Sequence, residues 1–176
     1  MGFSIRADNL SWIKGRKDDP EDLCLHGHAV AVIGSRTLEY DATVSATALF
    51  LLRTLTEDRV PITDDQMLPC CGYFMLADEA CENVTILGCP NGIDWFLEHN
   101  SDGTVTIILT DGTEEIVPFA EYRAEVLRFA DAIERFYAAC SPKTPDEEQY
   151  INAYRAFWNE WHRRREQADA DAPLLR

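Results

Sequence analysis

The chain has 176 residues, 46% hydrophobic and 27% charged, which fits one globular domain able to bury a core without disulfides or a structural metal. Its formal charge is −15, spread as −7 over residues 1–91 and −8 over residues 92–176, so the acidity is not confined to a tail. Such a surface repels nucleic-acid phosphates and anionic lipid and attracts a cationic partner, so neither a nucleic-acid nor a membrane role is expected.

In chain order, Phe3-Ser4-Ile5-Arg6 alternates as a short strand does. Residues 8–22 carry Gly15, Pro20 and mixed charges and read as a solvated loop pinned by Trp12 and Ile13. Residues 23–33 regain β character towards their end, and Gly34-Ser35 stops it. Residues 41–55 predict an apolar helix, capped by Asp41 or Thr43 and covered on most sides. Residues 69–76 read as one buried strand after a kink, which would splay the Cys70 and Cys71 thiols to opposite sides. A turn at Asp78-Glu79-Ala80, a strand at Val84-Thr85-Ile86-Leu87 and a turn at Cys89-Pro90-Asn91-Gly92 follow.

Residues 92–137 are the most legible stretch. Two Asp-Gly turns join three alternating segments into an antiparallel meander. Pro118 then opens a helix whose apolar stripe runs through Tyr122, Val126, Phe129, Ile133 and Tyr137. Thr144-Pro145-Asp146-Glu147 has the form of a capping box before a last helix striped with Tyr150, Tyr154, Phe157, Trp158 and Trp161. Its Arg163–Arg165 run would sit near the helix end as a solvating cluster.

The expectation is a single α+β domain over residues 1–166 with a frayed tail over 167–176. It would have one mostly antiparallel sheet of about five to six strands, a central apolar helix and two long C-terminal helices packed on it. No segment reads as a signal peptide or membrane span, so the expected compartment is the cytoplasm, with six free thiols.

Three constellations could carry chemistry. Cys24-x-His26-x-His28 would project to one face of an extended strand, as zinc ligands do, with Cys70, Cys71, Cys81, Cys89 or His99 able to complete the set. A cysteine paired with His26, His28 or His99 could form a nucleophile, but no local protease signature or G-x-S-x-G elbow is present. Asp94 and Glu98 share a strand face about 13–14 Å apart, too far to act across one bond. Phosphate-binding glycine loops are absent.

Binding therefore reads ahead of catalysis, and no cofactor is required; zinc belongs to the Cys24/His26/His28 alternative. In size, acidity and build the chain resembles the small intracellular immunity proteins that bacteria direct against basic toxin domains, a likeness of general character that rests on no motif. That resemblance implies a cationic protein partner. The residues expected to meet it are Trp12, Asp18, Asp19, Glu21 and Asp22 in the N-terminal loop, and Tyr150, Tyr154, Trp158 and Trp161 on the last helix. A homo-oligomer packed through that helix is the further alternative.

Overall fold

The alternation that begins at Phe3 persists well beyond Arg6. A computed structural model describes residues 2–60 and 65–170. In it β1 (Phe3–Ser11) pairs antiparallel with β2 (His26–Ile33), with a register shift between Asp8 and Ser11. The loop therefore starts after Ser11 and not at Asp8. Gly34-Ser35 ends β2 only to reverse it: with Ile33 opposite Arg36, these two residues form a tight hairpin turn, and Gly34 supplies a φ of 57°. The strand beyond, β3 (Arg36–Ala42), is not expected from the sequence, and it takes up Asp41 and Ala42, the first two residues of the expected helix. Its signal is the spacing of Leu38, Tyr40 and Ala42, which turn towards the body while Thr37, Glu39 and Asp41 are exposed.

The apolar helix α1 (Val44–Arg53) is central, as expected, with every residue from Val44 to Leu52 buried. Thr43 occupies its N-cap without a side-chain cap bond. The Thr43 N–H instead donates to the Pro69 carbonyl, and Ser45 Oγ accepts the Leu25 N–H, so neighbouring chain segments meet the helix start.

The middle of the chain departs most from expectation. The segment read as one strand over 69–76 is split into β4 (Leu68–Pro69) and β5 (Phe74–Ala77) by a bend at residues 70–73. β5 forms a hairpin with β6 (Val84–Leu87), and β4 pairs with β7 (Gly92–Ile93). The meander follows as expected, with β8 (Trp95–His99), β9 (Thr104–Leu109) and β10 (Glu114–Pro118) in the order β10-β9-β8. The described strands therefore form two three-stranded and two two-stranded antiparallel sheets, not one sheet of five to six strands. The bends at residues 70–73 and around Pro90, which has no N–H to give a ladder, keep the short pairs from joining the larger ones.

Helix α2 (Phe119–Ala138) buries Tyr122, Val126, Phe129, Ala130, Ile133 and Tyr137 against α1 and β1. Helix α3 (Glu148–Ala170) packs on the β5–β6 hairpin. It starts four residues after Thr144, whose N–H is engaged by the Pro20 carbonyl, so the expected capping box does not open the helix. It also runs past Gln167: Ala168 is buried and its carbonyl accepts Arg123 Nε. The remainder of the expected frayed tail, residues 171–176, lies outside the described residues.

The arginine run on α3 is a set of staples. Arg163 donates to Glu82 O and Asn83, Arg164 pairs with Glu57, and Arg165 pairs with Asp131. Asp94, expected on a solvated sheet face, is instead enclosed. It accepts Arg59 at 3.0 Å together with the Met67 and Trp95 N–H groups. Burial raises its pKa more than Arg59 lowers it.

Candidate functional site

The β5–β6 hairpin carries three of the eight large hydrophobic side chains exposed among the described residues. Its inner residues Met75, Val84 and Ile86 are buried towards α3. Its outer face carries Phe74 opposite Leu87, and Leu76, at 43%, 42% and 37% exposure, which makes it an apolar ribbon open to solvent. Asp78, Glu79 and Glu82 surround its tip, all exposed.

Beside the start of the ribbon lies a cleft of about 260 Å³ lined by Glu21, Leu23, Tyr73, Thr144, Pro145, Asp146, Glu147 and Tyr150. The Tyr73 and Tyr150 rings stand 5.6 Å apart, centroid to centroid. Glu21, Asp146 and Glu147 form no ion pair with any described residue, and no cationic side chain lines the cleft. Three carboxylates beside two tyrosine rings suit a guanidinium or ammonium group, through ion pairing and cation–π attraction together.

The residues expected at a partner surface divide sharply. Trp12 and Trp161 are wholly buried, Trp12 beneath Lys143 Nζ at 3.0 Å and against Tyr137, so neither offers a ring to a partner. Asp19 and Asp22 are also buried: Asp19 holds Arg16 and the Glu21 N–H, while Asp22 accepts the Ile13 and Cys24 N–H groups. Asp18 is exposed but accepts both the N–H and Oγ of Ser141. These three aspartates fasten the N-terminal loop, and Glu21 is left facing outward into the cleft. On α3, Tyr150, Tyr154 and Trp158 are half-buried, and Tyr150 reaches the same cleft as Glu21. Tyr73, Asp146 and Glu147 were missed because their importance comes from a meeting of the 70s, the 140s and the N-terminal loop.

The expected Cys24/His26/His28 ligand set does not come together. Cys24 precedes β2, is buried, and donates its thiol to the Gly72 carbonyl at 3.1 Å, with burial pushing its pKa well up. His26 lies 3.8 Å from Asp22, and His28 contacts Asp41 at 2.8 Å. His99 is held against Asp58 at 2.8 Å. All six cysteines are free. Among the described residues, the cysteine, histidine and acidic ligand atoms that gather within 4.8 Å of one another are the thiols of Cys70, Cys71 and Cys89.

That cluster sits at the root of the same hairpin, with Cys70 and Cys71 before β5 and Cys89 after β6. A hairpin returns its ends to one place, so cysteines flanking it must meet. The signal was present in Pro69-Cys70-Cys71-Gly72 and Gly88-Cys89-Pro90, but reading 69–76 as one strand concealed it. Among the described residues, no helix is long and apolar enough to cross a membrane. No protein-family model, curated protein or solved structure matches this chain.

Proposed function

We propose that this is a binding protein of inhibitor or immunity type whose partner is a basic protein. The observation that carries the reading is the cleft in which Glu21, Asp146 and Glu147 stand unpaired beside the Tyr73 and Tyr150 rings. A lysine or arginine side chain from the partner enters there, and the Phe74, Leu76 and Leu87 ribbon supplies apolar contact next to it. Aromatic anchors with charge around them are the usual makings of an interface hot spot. The net charge of −15 adds long-range attraction and speeds encounter. An intracellular setting, where free thiols stay reduced, accompanies this reading.

The test is a partner isolated from the source cells at low salt, then titrated against defined variants. Glu21→Lys combined with Glu147→Lys weakens the complex by about tenfold or more, whereas Glu114→Lys, at an exposed position outside the cleft, weakens it only through general charge. Equal losses in the two proteins would remove the cleft from the interface. A partner whose affinity does not change with salt would remove the electrostatic reading altogether.

A further inference from the structure

We propose that Cys70, Cys71 and Cys89 form a binding site for a thiophilic d10 cation, with zinc as the ion the site takes. The three sulfur atoms already lie within 4.8 Å of one another. Thiolates sharing one tetrahedral zinc at about 2.3 Å stand roughly 3.8 Å apart, so side-chain rotations of about 1 Å close the site without backbone rearrangement.

The backbone explains why three thiols from two segments converge. β4 pairs with β7 through Leu68–Ile93 and Pro69–Gly92, and the Cys70 N–H extends this ladder to the Asn91 carbonyl at 3.1 Å. The chain leaves extended pairing at Cys70, which lets adjacent Cys70 and Cys71 turn their thiols towards one point. Gly92, with φ 148°, lets the second segment pass directly beneath the Leu68 carbonyl, where an added Cβ would come within 2.6 Å. Cys89, which follows β6, is thereby brought back to the other two at the root of the hairpin.

The site also has the polar surroundings of a thiolate centre. The Cys89 N–H donates to Cys71 Sγ at 3.1 Å. A bound cation draws the protons from the thiols as it takes them as ligands. Cys70 is exposed and Cys71 and Cys89 are half-buried, so an ion has a path in. Three protein ligands leave the fourth position to water. The all-sulfur set favours zinc over magnesium or calcium, which take oxygen ligands.

Binding closes the loop that contains β5 and β6, so the ion locks the root of the exposed ribbon. The site does not depend on the partner assignment, and its test involves no partner. Fully reduced, metal-free protein is titrated with zinc against a chromophoric chelator, and separately with cobalt(II). One equivalent of zinc is expected. The cobalt complex should show thiolate-to-cobalt charge transfer in the near ultraviolet and intense tetrahedral bands in the visible.

Cys71→Ser and Cys89→Ser, each losing a direct ligand, lower zinc affinity by more than the roughly 10–100-fold that loss of an outer-shell partner costs, while Cys81→Ser and a His26→Ala/His28→Ala double variant keep it. Circular dichroism confirms that each variant is folded. Bound zinc also slows alkylation of Cys70, Cys71 and Cys89 in the unaltered protein, and leaves Cys81 and Cys140 as reactive as before. Reduced protein that takes up no zinc and shows no cobalt–thiolate band overturns the proposal. So does zinc binding that survives loss of Cys71 and Cys89 but not loss of the histidines.

Discussion

Glu160 shows at the scale of one residue how this acidic protein can bury a charge. It is 1% exposed, yet it accepts Arg53 Nε at 2.8 Å, the second Arg53 nitrogen at 2.9 Å and the Val84 N–H at 3.0 Å. Burial pushes its pKa up, but Arg53, the Val84 N–H and Arg164 outweigh that and hold the carboxyl below its ordinary value. Glu160→Gln keeps the shape but removes the charge that two arginines face, and should cost about 3–5 kcal/mol in chemical denaturation. An Arg53→Met/Glu160→Leu double variant should cost less than the sum of its single changes, because no lone buried charge remains. The pH dependence has a definite sign. Because the folded pKa is lowered, the stabilisation is complete above the unfolded glutamate value of about 4.3 and is lost as pH falls through the folded value. Unfolding followed across that acid range should be less steep for Glu160→Gln than for the unaltered chain. An identical slope would mean that Glu160 does not hold its proton balance in the way its contacts imply.

At the scale of the element, the two-residue strands β4 and β7 matter more than their length suggests, because they set where the β5–β6 hairpin begins and ends. Gly92 is the point of closest approach, with Leu68 O and Gln66 Cβ where a side chain would go. Gly92→Ala should therefore destabilise the protein by about 1–3 kcal/mol, through a φ of 148° and a clash against backbone. Gly103→Ala, also at positive φ but with open space around it, should cost less; equal losses in thermal melts would refute the close-approach argument. This contrast also separates what could be read from the chain and what could not. The meander, α2 and α1, buried from Val44 to Leu52, follow local rules: alternation, Asp-Gly turns and helical spacing. β4 and β7 have no pattern of their own and exist because each finds the other. The same holds for the site. Glu21 and Tyr150 stood out as residue types, but the cleft needs Tyr73 and Glu147 beside them, and nothing local places those four together. Asp18, Asp19 and Asp22 resembled Glu21 in sequence, yet their carboxylates meet Ser141, Arg16 and the Ile13 and Cys24 N–H groups.

For the whole molecule the deciding quantity is charge, with 31 acidic residues against 16 basic ones. Even if every lysine and arginine were paired, 15 carboxylates would remain without a partner, and they repel one another in the compact state. The exposed ion pairs, such as Arg36–Asp111 and Arg6–Asp8, each contribute only about 0–1 kcal/mol and are themselves weakened by salt. Buried pairs such as Arg53–Glu160 are screened much less. Relief of the excess repulsion should therefore exceed the loss of surface pairs as sodium chloride is raised from about 0.01 M to 0.5 M, where the screening length falls from about 30 Å to a few ångströms. The midpoint of thermal unfolding should rise over that range. Association with a basic partner should respond in the opposite sense, because the same screening removes the attraction between the carboxylate cleft and an incoming cation. Measuring both curves on one preparation keeps the two effects apart. A melting point that falls with salt would show that surface pairing outweighs the charge excess. The acidity would then be holding the fold together, leaving less of it to draw in a partner.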